Sequence, residues 1–178
     1  MSQLVQRKKQ AVAAVVEEAP AQYLTFSLHG EMFAVGILNV KEIIEYGNLT
    51  EIPMMPAFIR GVINLRGSVV PVIDLSCRFG NATTEISKRT CIVIVEVQEG
   101  EFRHDIGIMV DAVSEVIEIP AGEIEPPPSF GAKIRADFIH GMGKVAGKFV
   151  IILNIIKVLS VEEIAMLAKV GQGSDPAN

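Results

Sequence analysis

Residues 58–75 align with residues 138–155 without a gap, at an offset of 80, and no other feature limits the fold of this chain as much. Phe58, Ile59, Gly61, Gly67 and Val70 face identical residues at Phe138, Ile139, Gly141, Gly147 and Val150. Six further pairs are conservative, among them Asp74 with Asn154 and Leu75 with Ile155. A shorter stretch, Val40–Glu45, matches Val113–Glu118 with four identities in six, at an offset of 73. The second copy therefore carries seven more residues, the difference between the two offsets, and Pro126-Pro127-Pro128 marks them as a loop. Each copy spans roughly 65–70 residues, too few to bury a full core alone. Two such units packed side by side share one core, and closing each into a small barrel limits exposed strand edges.

The segments inside the repeat have strand length. Leu24–Leu28 and Met32–Val35 flank the turn signal His29-Gly30, and Gly61–Leu65 and Val69–Ile73 flank Arg66-Gly67-Ser68. Pro71 within the latter run predicts an edge strand or a bulge. Further strands are expected at Cys91–Val97, Ile106–Val110, Val113–Ile119, Ile139–Val145 and Phe149–Leu153. Ser160-Val161-Glu162-Glu163 has the capping-box pattern and starts a short helix over residues 161–170. Residues 171–178 read as a flexible tail. Residues 1–20 imitate a secretion signal, with Arg7, Lys8 and Lys9 before Ala11–Val16. That apolar stretch has only six residues and is closed by Glu17 and Glu18, so we read a flexible arm.

Hydrophobic residues make up 49% of the 178, with a mean hydropathy of +0.39, yet no apolar run reaches the ~18 residues of a membrane span. The apolar excess belongs in buried strands and on interaction surfaces. A net charge of -5, 6% aromatic residues and no Trp argue against a nucleic-acid footprint. Gly141–Lys148 is the only glycine-rich segment with lysine, but its spacing and the Phe149 after it do not match a phosphate loop. It reads as a hairpin turn. His29, His104 and His140 share no metal-binding spacing with each other or with Cys77 and Cys91. Ser68 lacks a nucleophile elbow, and Asp111, Glu115, Glu118, Glu123 and Glu125 read as a solvated acidic face. We therefore expect no catalytic residue, no metal and no cofactor. The two cysteines read as reduced, buried thiols in a cytoplasm.

One contrast between the copies stands apart. Gly67 and Gly147 match, as one shared turn geometry requires, but Arg66 faces Ala146 and Pro71 faces Ile151. The shared architecture does not demand such features. Arg66 reads either as an exposed turn arginine or as a binding or bridging residue.

At these residues the chain resembles the CheW family, the coupling proteins of bacterial chemotaxis. The resemblance runs from Gln22 to about Leu167. Its most specific stretches are Gly61–Leu75, preceded by Pro56-Ala57-Phe58-Ile59, then Val40-Lys41-Glu42-Ile43 and Asp111–Val116. The same module occurs in the kinase CheA and at the front of CheV, and 178 residues leave no room for a kinase or receiver domain. The resemblance is thus to the stand-alone members.

It implies a mainly β fold: two five-stranded SH3-like barrels around a shared apolar core, with few short helices and a C-terminal helix. Residues 21–160 would hold two interleaved small barrels. It implies no catalysis and no cofactor. The implied role is an adaptor between the cytoplasmic tip of a chemoreceptor and the regulatory domain of the histidine kinase CheA. Such a protein is cytoplasmic, at receptor arrays on the inner face of the membrane, with no nucleic-acid partner and no direct membrane insertion. The implied receptor-binding positions are Val40, Glu42, Ile43, Gly61, Asn64 and Arg66, and kinase contact falls to apolar barrel ends. Glu42 and Arg66 would lie on neighbouring strands as a partly exposed ion pair. The alternatives are an adaptor of a non-flagellar chemosensory system, controlling pili or a second messenger, and a small barrel that binds single-stranded nucleic acid.

Overall fold

Turn chemistry sets the strand pattern of the computed structural model, which describes residues 21–127 and 134–159. Three hairpins turn on two residues with left-handed backbone: His29-Gly30 (φ 49° and 77°), Arg66-Gly67 (52° and 87°) and Ala146-Gly147 (51° and 82°). Paired left-handed residues match the right-handed twist of the flanking strands, and glycine takes the second position in each. The ten strands are β1 Ala21–Leu28, β2 Glu31–Gly36, β3 Val40–Glu45, β4 Ile59–Leu65, β5 Ser68–Asp74, β6 Cys91–Glu99, β7 Phe102–Val110, β8 Ala112–Ile119, β9 Ile139–Val145 and β10 Lys148–Leu153.

They form two five-stranded sheets, ordered β8-β1-β2-β10-β9 and β3-β6-β7-β5-β4. Moving every strand five places along the chain converts one order into the other. The two copies are not simply side by side, however. Each sheet takes its leading hairpin, β1–β2 or β6–β7, from the opposite copy. The joins between that hairpin and β10 or β5 are parallel, as at Phe33–Ile151 and Ile73–Ile108, whereas the hairpins themselves are antiparallel.

The exchange explains the composition. β6 lies inside its sheet and is buried on both faces, so it reads as a continuous apolar run. Val93, Val95 and Val97 enter a core shared with Leu24, Phe26, Leu28 and Phe33, while Ile92 and Ile94 pack inside their own sheet with Ile63, Val70 and Val72. Tyr23, Ala34, Ile119, Val150 and Ile152 fill the other sheet.

Each sheet curls until the segment beyond one edge strand meets the opposite edge strand. Thr50 and Val62 exchange backbone bonds of 2.9 and 2.8 Å, and Glu125 and Met142 exchange bonds of 2.9 and 2.7 Å. A continuous ladder between the edges, as in a closed barrel, is not seen among the described residues. Pro71 does not mark an edge strand: β5 is interior, between β7 and β4, and the bulge in the β4–β5 ladder falls at Arg60 on the partner strand. Val62 opposite Pro71 gives its N–H and C=O to Thr50, so the missing proline N–H costs the β4–β5 ladder nothing.

Two four-residue helices, α1 Leu75–Arg78 and α2 Ile155–Val158, follow β5 and β10. Their caps are the conservative repeat pair: Asp74 accepts from the Cys77 N–H and Asn154 from the Lys157 N–H, each at 3.3 Å. The helix expected over 161–170, the arm over 1–20 and the tail over 171–178 lie outside the described residues. Cys77 and Cys91 are free thiols, half-buried rather than buried.

Candidate functional site

A bulge creates the surface of β3. Val40 pairs with Val95 and Glu42 with Ile94, which leaves Lys41 as an extra residue. Residues opposite each other share a face. Val40 and Ile43, opposite Val95 and Val93, therefore both point to the shared-core side although three positions separate them. Glu42 and Ile44 point into the sheet's own interior, toward Ile94 and Ile92. Val40 is half-buried, and Ile43 stays 43% exposed because β3 is an edge strand.

Arg66 reaches this edge from the β4–β5 turn. Its two terminal nitrogens donate to the two Glu42 carboxylate oxygens at 2.9 and 2.8 Å, a bidentate pair. The pair is partly exposed, as expected, with the Arg66 side chain at 76% and the Glu42 side chain at 26%. The strands are not ladder neighbours. β3 and β4 are the two outer strands of the sheet, and the ion pair spans the seam at one end as the Thr50–Val62 bridge does at the other. Hydrogen bonding to Glu42 raises the affinity of the Arg66 guanidinium for its proton.

Asn64 and Gly61 act on shape. The Asn64 Oδ1 accepts from the Gly67 N–H at 2.9 Å and braces the turn that aims Arg66. Gly61 is buried, with φ +150°, and any Cβ there would collide with the Thr50 carbonyl. Of the six expected positions, Glu42 and Arg66 are thus brought together at the seam as side chains, while Val40 and Ile43 lie on the other face of β3. Asn64 stands beside the ion pair, and Gly61 contributes only the close approach of the backbone.

Two clefts flank Leu65. One, of about 310 Å³, has Lys41, Glu42, Arg66, Ser68 and Asp105 on its walls; the other, of about 290 Å³, has Ile44, Tyr46, Asn48 and Asn64. Charges in the first cleft compensate each other. Lys41 donates to both Asp105 oxygens at 3.2 and 3.0 Å and lies 3.6 Å from Glu96, and these partners, Asp105 foremost, raise its pKa.

The arrangement suits contact better than chemistry. Among the described residues no group of three or more His, Cys, Asp or Glu side chains could hold a metal. Sequence reasoning missed one cluster, His29, Ser76 and Asp111. The His29 Nε2 bonds to the Ser76 hydroxyl, but that hydroxyl donates to the Ala82 carbonyl, and Asp111 accepts from the His29 backbone N–H. The carboxylate does not orient the ring, so the set ties the β1–β2 turn to α1 rather than activating a nucleophile. Glu115, Glu118, Glu123 and Glu125 are exposed, while Asp111 is half-buried. Burial and the nearby Asp74 push the Cys77 thiol pKa up, away from nucleophilic use. No helix among the described residues is long and apolar enough to cross a membrane.

The family model for the CheW-like domain matches residues 22–163. The chain belongs to the CheW family. Among curated members, the chemotaxis protein CheW of Klebsiella aerogenes is 33% identical over 156 residues, covering 88% of this chain and 92% of its own length. Protein FrzA of Myxococcus xanthus is 32% identical over 123 residues, covering 68% of this chain and 74% of its own. The crystal structure of the scaffolding protein TtCheW from Thermoanaerobacter tengcongensis superposes with a TM-score of 0.72 at 39% identity, covering 81% of this chain and 90% of that one. The family expectation drawn from Gly61–Leu75 and its companion stretches is thereby met, and the seam and all of both sheets but Ala21 lie within the matched residues.

Proposed function

We propose that this CheW-family chain is a non-enzymatic chemotaxis adaptor that couples the cytoplasmic tip of a chemoreceptor to the regulatory domain of the histidine kinase CheA. The observation that carries this is the edge strand β3, which holds Glu42 in a bidentate ion pair with Arg66 on one face and presents Val40 and half-exposed Ile43 on the other. A helical receptor hairpin lays apolar side chains against Val40 and Ile43, and Arg66 with Glu42 sets its register. Gly61 and Asn64 hold the seam in shape. Kinase contact falls to apolar positions elsewhere on the strand ends. Residues 21–160 act as one unit of two interleaved barrels in the cytoplasm, at receptor arrays beneath the membrane. Single contacts are modest, and the array strengthens them through multivalency.

The test is a pull-down with purified kinase and receptor fragments, singly and together. A ternary complex at saturating concentrations is the expected result. Competition between the two fragments would replace bridging with a sequestering role. A second reading, with which the FrzA relative is compatible, is an adaptor for a non-flagellar chemosensory system. A deletion strain that swims and turns normally but loses surface motility or second-messenger control would select it.

A further inference from the structure

Arg78 ends α1 and lies half-buried between the two copies. Its Nε donates to the Val158 carbonyl oxygen at 2.9 Å. Its guanidinium carbon stands 5.1 Å from the Phe58 ring centre and 4.8 Å from the Phe138 ring centre. These partners are not independent. Val158 is the repeat equivalent of Arg78 itself, and Phe58 and Phe138 are equivalents of each other, all at the offset of 80. A bond between equivalent positions must lie where the two copies meet. The symmetry breaks at that place, because the second copy has a valine where the first has the arginine.

The surroundings fix the guanidinium in several directions. Phe138 is buried and also lies 4.6 Å from the Arg135 guanidinium carbon. Phe79, next to Arg78, packs on Phe138 at 5.9 Å and on Phe33 at 5.6 Å, so the aromatic contacts run from α1 into the exchanged β1–β2 hairpin. Apolar surfaces alone slide against one another at little cost. A planar cation between two rings, with its Nε bonded to a carbonyl, resists both translation and rotation.

We propose that Arg78 is a positioning residue that fixes the angle between the two β-units and so the relative placement of the surfaces that two partners occupy. The placement of partners rests on the adaptor function proposed above; the angle itself does not.

The experiment measures the angle and the coupling separately. Spin labels at Glu45→Cys and Glu118→Cys, exposed equivalents on β3 and β8, report the inter-sheet distance in a Cys77→Ser, Cys91→Ala background. Arg78→Met keeps the apolar length and removes the bond and the cation. It is expected to broaden the distance distribution at least twofold, to leave each single-partner affinity within about threefold, and to lower kinase activation in the ternary assembly at least fivefold. Arg78→Lys restores a cation between the rings without the planar donor and is expected to fall between. If Arg78→Met does not fold, Arg78→Lys decides: broadening supports the proposal and wild-type width overturns it. Unchanged width in a folded Arg78→Met variant overturns it as well, as does loss of single-partner binding in proportion to melting temperature. If wild-type protein binds neither fragment, the adaptor function fails, and the distance measurement still judges Arg78.

Discussion

The two sheets are laid out alike and finished differently. Both have a bulged edge strand, and both carry an exposed apolar residue on it, Ile43 in β3 and Val116 in β8. Both turn a hairpin on two left-handed residues and admit a backbone bridge over a glycine, Gly61 or Gly141. The differences lie in polar groups. The seam of the first copy has Glu42 and Arg66, whereas the second has Glu115 and Ala146; the helix caps are Asp74 and Asn154; the contact between the copies has Arg78 against Val158. Architecture is repeated through glycines and apolar positions, and individuality is written in charges.

The largest effect is expected at the caps. Asp74 is fully buried, accepts from both the N–H and the hydroxyl of Thr84 at 2.8 Å, and lies 3.8 Å from Arg60. Asp74→Ala strands those donors and the cation, and costs about 3–5 kcal/mol. Asn154 is half-buried, and among the described residues its side chain makes the cap bond alone, so Asn154→Ala costs about 1 kcal/mol. Chemical denaturation of the two variants checks the ratio; equal losses would mean that the first cap does no more than the second.

The glycines come next. Gly61→Ala must hold a side chain at φ +150° and push against the rigid Thr50 backbone, at a cost of about 2–4 kcal/mol. Gly141 has no such backbone demand, and its new methyl first meets the Ile124 side chain, which can move. Gly141→Ala should cost about 1–2 kcal/mol. Melting curves separate the two, and a larger loss at Gly141 would show that the bridges are not equivalent in tightness.

These differences explain what was legible beforehand. Glycines, turn pairs and apolar runs act locally, so the hairpins, the Gly67–Gly147 correspondence and the Asp74–Asn154 pairing could be read from the residues. The hairpin exchange could not, because β1–β2 and β6–β7 offer equivalent strands, and nothing in either names its sheet. Val40–Glu45 was recognisable as a repeat of Val113–Glu118 but not by its own alternation, since the bulge at Lys41 shifts the period. Pro71 misled for a similar reason: the Thr50 bridge that makes an interior proline harmless comes from a distant loop. Arg78 has no signal beyond its failure to match Val158, and its partners are assembled only by the fold.

The smallest effect on stability, and the most informative for function, is expected at the seam. Arg66→Ala converts the first copy to the residue of the second. The Glu42–Arg66 pair is partly exposed and screened by solvent, so its loss should lower the melting temperature by no more than about 3 °C. Receptor-dependent kinase activation should nevertheless fall at least about fivefold, because a bidentate arginine has the character of a binding hot spot. The converse change, Ala146→Arg, is sterically allowed: Ala146 already has φ 51°, against 52° at Arg66, and Glu115 stands where Glu42 does. Its melting temperature should stay within about 2 °C of wild type. The combined variant moves the arginine from one seam to the other while preserving composition and charge. If the copies serve different partners, the combined variant remains as inactive as Arg66→Ala. Restoration of activation would show that either seam can receive the receptor, and the division of labour between the copies would have to be abandoned.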